Sequence, residues 1–329
     1  MSLRRVRDIL PLVEETNVGP DTIGVLRDEI HRLALAMNSS PTPAVLPDLL
    51  AAQNLLFRLL EGRQQPQQSR DLNFLTAAAS SLVSGACFLI GNAEASKTHG
   101  RLAYICATNA GHQPFQAWVR GLQALHAYWE KQTGDALRYC LLARETPMGS
   151  GSLSAWVPAV EARIRASMGN GPAARASIDR ARAARDRVEP DDLDELGGDF
   201  AFPLTSQLFN IADALSLISG DAREAERAAL DAIAGYDSAQ PDELNVENQT
   251  LARVCLARAR VRLSEIDGAE AALEPVLDLP SEFLSEPLRF ALENLHGLLT
   301  TSELHDSAKA RELTSRAEQM LRTPRILAI

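Results

Sequence analysis

The most reactive-looking side chains in this 329-residue sequence stand in LQALHAYWEKQ, where His126, Tyr128, Trp129 and Glu130 lie within five positions. A histidine beside a phenol and a carboxylate could move a proton. Adjacent positions on a helix point in different directions, however, so the group cannot converge on one substrate, and a lone helical histidine reads as a hydrogen-bonded packing residue. The sequence carries no Walker-type glycine loop, GxGxxG, HExxH, GxSxG or EF-hand loop. No catalytic residue, metal ligand set or cofactor is assigned, and the expectation is a protein that is not an enzyme.

A second set of residues suits binding. Gln116, Trp118 and Arg120 are followed by Trp156, then by Phe202, Gln207, Phe209 and Asn210, then by Asn248, Gln249 and Arg253. Indoles supply flat apolar walls, and carboxamides pair as donors and acceptors with peptide-like groups. A guanidinium anchors an anion such as a peptide carboxylate. Trp118, Trp156, Gln207, Asn210, Asn248 and Arg253 are the candidate ligand-binding residues, with Arg253 as the anchor.

These residues need a scaffold that brings distant segments side by side, and a repeated phrase supplies one. QTGDALRYCLLA (132–143) returns as ISGDAREAERAAL (218–230), SMGNGPAARASIDRA (167–181), LIGNAEASKTHGRLA (89–103) and EIDGAEAALEPVL (265–277). Each is a polar turn between a longer helix and a shorter, Ala-rich one, with turn glycines expected at 91, 134, 169, 220 and 268. Ala174, Ala181, Ala225 and Ala232 fall at matching offsets, where two helices can approach closely. Helix pairs stacked through small-residue faces are the pattern of a tetratricopeptide-type solenoid, in which the first helices line a concave groove. The expected fold is therefore all-α, a tetratricopeptide-like right-handed superhelix of about twelve to fourteen helices in antiparallel pairs. Residues 1–68 are expected to form a helical hairpin that caps the array, and residues 69–329 the array itself. The largest insertions, 187–203 and 236–245, are acidic and turn-rich, and within the first the acidic run EPDDLDELGGD (189–199) reads as a solvated connector.

Composition agrees with a helical reading. Hydrophobic residues make up 46% of the chain and aromatics only 5%, and long alternating Val, Ile and Thr runs are absent. A net charge of −10 disfavours DNA and anionic membranes. The local exception, Arg163 to Arg187, carries seven arginines at helical spacing and reads as a solvated face. Cys87, Cys106, Cys140 and Cys255 lack CxxC spacing and read as small core residues of a reducing compartment. No uninterrupted apolar run reaches the roughly 18 residues of a membrane span, and MSLRRVRD lacks the apolar stretch of a signal peptide, so a cytoplasmic protein is expected.

The order LIGNAEASKTHGRLAYICATNAGHQPFQAWVRGLQALHAYW, ELGGDFAFP, GDAREAERAALDAIAGY and EPVLDLP resembles the C-terminal region of actinobacterial helix-turn-helix transcriptional regulators of the xenobiotic-response-element class. The resemblance runs from the PDTIGVLRDEI helix to EPVLDLP. It implies a ligand- or partner-sensing tetratricopeptide-like region, taking a peptide, a small-molecule effector or a partner protein in its groove, with homodimerisation left open. The N-terminus departs from the family, because nothing there resembles the helix-turn-helix. Direct DNA binding by this chain is therefore not expected. A stand-alone protein-interaction scaffold is the alternative reading.

Overall fold

A computed structural model describes residues 15–218, 220–240 and 243–324; the MSLRRVRD segment and the first part of the expected N-terminal cap lie outside them. Among these residues there are fourteen α-helices, three short 3-10 turns and no strand. The chain is all-α. Its helices pair in sequence: α1 (Pro20–Ser39) with α2 (Thr42–Leu60), α3 (Pro66–Leu89) with α4 (Ala93–Asn109), and α5 (Gln113–Trp129) with α6 (Thr133–Glu145). Then follow α7 (Leu153–Ser167) with α8 (Gly171–Arg185), α9 (Leu204–Leu217) with α10 (Ala222–Asp237), α11 (Val246–Arg262) with α12 (Ile266–Leu277), and α13 (Glu286–Thr301) with α14 (Ala308–Leu321).

The repeated phrase is a helix stop joined directly to a helix start. In five turns an amide bonds the carbonyl five residues back: Asn92 to Cys87, His112 to Ala107, Gln132 to Ala127, Asn170 to Arg165 and Glu265 to Arg260. This is the six-to-one bond of a Schellman cap, which needs one left-handed residue just before the donor. Gly91, Gly111 and Gly169 occupy that position at φ 87°, 69° and 74°. The next residue then caps the following helix. Asn92, His112 and Asn170 accept from the amides of Ala95, Phe115 and Ala173.

Two of the expected turn glycines are misplaced. In the corresponding turns the left-handed residues are Lys131 and Ser264, both at φ 61°, while Gly134 and Gly268 lie inside α6 and α12. Gly268 instead allows α12 to lie close to Arg260, whose Cδ would be 2.9 Å from an added Cβ.

Ala174, Ala181, Ala225 and Ala232 are all fully buried at helix contacts, as their offsets predict. The buried apolar residues form two clusters, one running from α1 to α8 and on through residues 193–202, the other from α7 to α14, with Ile164 in the first and Ala162 and Ala166 in the second. By length and mean hydropathy, 1.5, α3 would suffice to cross a membrane. Yet 89% of that stretch is buried, wrapped by α1, α2 and α4.

The row of first helices closes on itself. The far end reaches back, with α13 packing against α3 and α5, where Lys131 pairs with Glu293 at 2.8 Å and Phe290 meets Tyr128 edge-on at 5.1 Å. From the near end α1 touches α11.

The segment 187–203 is not the solvated connector its acidic residues suggest. It folds inward, burying Leu193, Leu196, Phe200 and Phe202 among the first helices. Asp194 fastens it by accepting from the Ser152 amide, and the Ser152 hydroxyl in turn accepts from the Phe202 amide at 2.8 Å. Its Gly197–Gly198 bend lies directly on α1.

Candidate functional site: a cavity among the first helices

Closure of the row leaves a cavity of about 510 Å³ at its centre. One face of each of α1, α3, α5, α7, α9 and α11 lines it, together with the inserted segment and residues 243–245. Its size falls in the range of small-molecule sites, about 300–1,000 Å³.

The aromatic wall is built from α5 and α7. Trp118 and Trp156 stack at 5.6 Å with an interplanar angle of 20°, and Phe200 of the inserted segment lies against Trp118 at 4.7 Å. Gly121 makes the stack possible, because a Cβ there would sit 2.4 Å from Cζ3 of Trp156. The Trp118 indole donates to the Asp199 carbonyl at 3.3 Å, which joins wall and insert. Trp129 completes the set, so all three tryptophans of the chain line the cavity.

His126 also borders it, stacked on Phe88 at 4.3 Å and bonded to Ser96 at 3.1 Å. Burial, with Lys97 adding to it, brings its pKa down to about 3, so the imidazole is neutral at physiological pH. Tyr128 points elsewhere, towards Asp213.

Of the candidate binding residues, Trp118, Trp156, Asn210 and Asn248 line the cavity. Asn210 accepts from Arg163 at 3.2 Å and donates to the Ser206 carbonyl at 2.7 Å. Gln207 lies behind the lining, buried, with its oxygen taken by Arg185 at 2.6 Å. Arg253 is not part of the site. It follows Asn248 by five residues, about 140° round the helix, and faces α10, where it pairs with Asp237 at 3.5 Å. The arginines that do reach the cavity are Arg163 and Arg185.

Both belong to the run read as a solvated face, and that reading fails for Arg163, Arg165 and Arg185, while Arg175, Arg180, Arg182 and Arg187 are exposed. Arg163 is buried against Asp213 at 2.7 Å. Arg144, Arg165 and Arg180 surround the fully buried Glu161 at 3.3, 2.7 and 2.9 Å. Arg175 and Arg182 reach Glu224 across to α10. The run is an ion-pair seam between helix pairs.

Two lining carboxylates were not singled out in the sequence. Desolvation by the surrounding cavity wall pushes Asp199 up to about 6, although the residue keeps an exposed surface. Burial pushes Glu247 up to about 7 in spite of a hydrogen bond from Ser285, and the Asp199 charge adds to the rise. The phenylalanines of GGDFAFP, both buried, were the available sign that the stretch beside Asp199 packs inward.

Among the described residues no three His, Cys, Asp or Glu side chains converge as a metal site, and all four cysteines are free and buried. The fold and site define an all-α helical-repeat protein with a ligand-sized cavity. No family model matches the chain, and no curated protein matches it.

Proposed function

We propose that this chain is the small-molecule-sensing region of a transcriptional regulator, a tetratricopeptide-type array working in the cytoplasm and carrying no DNA-reading element of its own. The observation that carries the reading is the cavity itself, with an indole stack on one wall and polar side chains from separate helix pairs on the others. The inserted segment favours a compact effector over an extended peptide or a partner protein, since it packs among the first helices in the groove such partners would need.

A molecule held there touches α1 and α11, the helices that meet when the row closes. By binding only the closed arrangement it stabilises it, and the difference in affinity between closed and open forms is the energy available for switching. An attached DNA-binding domain or a second copy would sense the change at the ends of the row. The acidic balance, −10 overall, argues for a sensing rather than a DNA-contacting role.

The test is native mass spectrometry of the chain isolated from its own cells. One small molecule per chain, released on unfolding, is the expected result. A bare polypeptide mass at every stage of isolation would count against the sensing role.

A further inference from the structure

The charges around the cavity do not balance. Five carboxylates line it, those of Asp194, Glu195, Asp199, Glu243 and Glu247, against the guanidiniums of Arg163 and Arg185. Both guanidiniums are engaged by the protein: Arg163 by Asp213 and Asn210, Arg185 by Gln207 and the Phe202 carbonyl. Asp194 is engaged too, by the amides of Ser152 and Asp191.

Asp199 and Glu247 differ. Their bonds are to neutral groups, Asn245 at 3.4 Å and the Ser285 hydroxyl, and among the described residues neither makes an ion pair. Ser81 of α3, buried on the same cavity, has a hydroxyl with no hydrogen-bond partner. Carboxylates that outnumber the free cations around a cavity attract a cation into it, and indole faces attract cations as well as apolar bodies.

We propose that the cavity is a site for an organic ammonium ion, whose protonated nitrogen is held by Asp199 and Glu247 while its apolar body lies against the Trp118–Trp156 stack. The assignment rests on the sensing role proposed above and names the chemical class of the effector. Binding carries a definite pH dependence. Both carboxylates have raised pKa values, about 6 and 7, so they are ionised at about pH 8 and largely protonated at about pH 5.5. Amine affinity is therefore full above these values and is lost as pH falls through them. The other charged or titratable groups lining the cavity are Arg163, Arg185, Asp194, Glu195, Glu243, His31 and His126; the arginines keep their charge across this range, and His126 remains neutral.

Calorimetric titration of the whole chain with three probes of one shape tests this: 2-phenylethylamine, 2-phenylethanol and 3-phenylpropionate. At about pH 8 the amine binds about tenfold or more tightly than the alcohol, and the propionate more weakly than either. At about pH 5.5 the advantage of the amine over the alcohol disappears. In the double variant Asp199→Asn, Glu247→Gln it disappears at both pH values, while alcohol binding and the helical circular dichroism persist. If the alcohol or the propionate binds as tightly as the amine at about pH 8, the ammonium assignment is overturned and the sensing role stands. If an amine advantage survives in the double variant, these carboxylates are not its cause. If none of the three binds, the ammonium assignment fails, and the native mass measurement separately decides whether the cavity carries another effector.

Discussion

Asp213→Ala is expected to lower stability by about 3–5 kcal/mol, the cost of leaving a buried charge without its partner. Asp213 lies 5% exposed between two guanidiniums, Arg163 and Arg258, themselves 4% and 2% exposed. It also accepts from the Tyr128 hydroxyl at 3.3 Å and the Cys255 thiol at 3.5 Å. Without it, two like charges face each other in the core at the junction of α5, α7, α9 and α11. Burial alone would raise the Asp213 pKa, but the two arginines outweigh burial and hold it well below the usual carboxylate range. A carboxylate depressed in this way contributes its stability above its unfolded pKa and loses it only as pH falls through the lower folded value. The loss in the variant is therefore constant from about pH 5 to 8 and vanishes only in strong acid. Urea unfolding of the variant measures the loss, and the triple change Asp213→Leu, Arg163→Met, Arg258→Met recovers most of it because no charge is left stranded. A penalty under about 1 kcal/mol in the single variant would mean that water reaches the guanidiniums.

Gly198→Val is expected to lever the inserted segment off α1. Gly198 has φ +54°, a left-handed conformation that β-branched residues resist. A Cβ there would stand 2.4 Å from the carbonyl oxygen of Ala34 and 2.6 Å from its carbon, both backbone atoms inside α1 that cannot swing aside. Strain and collision together amount to about 3 kcal/mol or more. Relief comes from lifting the segment out and exposing Leu193, Leu196, Phe200 and Phe202. Hydrogen exchange across 187–203 should rise sharply in the variant while the C-terminal pairs keep their protection. Gly24→Ala, where a Cβ meets nothing within 4 Å, is the neutral control. Unchanged exchange in Gly198→Val would show that the segment does not depend on its seat against α1.

The helices, their pairing and the small-residue contacts were legible because they are written in local spacing: Ala225 and Ala232 share a helix face whatever the rest of the chain does. Closure was not legible. His31 meeting the carbonyls of Glu195 and Leu196, or Lys131 meeting Glu293, joins residues far apart in sequence, and no local pattern marks such pairs. The inserted segment was misread because its four buried apolar residues are spread among carboxylates, and a bend at Gly197–Gly198 rather than a helical period turns them inward. The arginine run misled for a related reason. Its counter-charges sit elsewhere, Glu161 among helices α6 to α8 and Asp213 on α9, so the sequence displays the cations without their partners. The lining residues Trp118, Trp156, Asn210 and Asn248 followed from asking what the first helices present, whereas Arg253 failed on helical phase alone.

The claim that the cavity takes a small molecule is tested most directly by tryptophan emission. Because Trp118, Trp129 and Trp156 are the only tryptophans and all line the cavity, emission reports on changes at the cavity. Titration at about pH 8 with 2-phenylethylamine, 2-phenylethanol and 3-phenylpropionate, none of which emits with tryptophan, should give a saturable change in intensity and wavelength at one molecule per chain for at least one probe. Emission that stays unchanged, or drifts without saturating, for all three would contradict the ammonium assignment, and a bare polypeptide mass beside it would contradict the account.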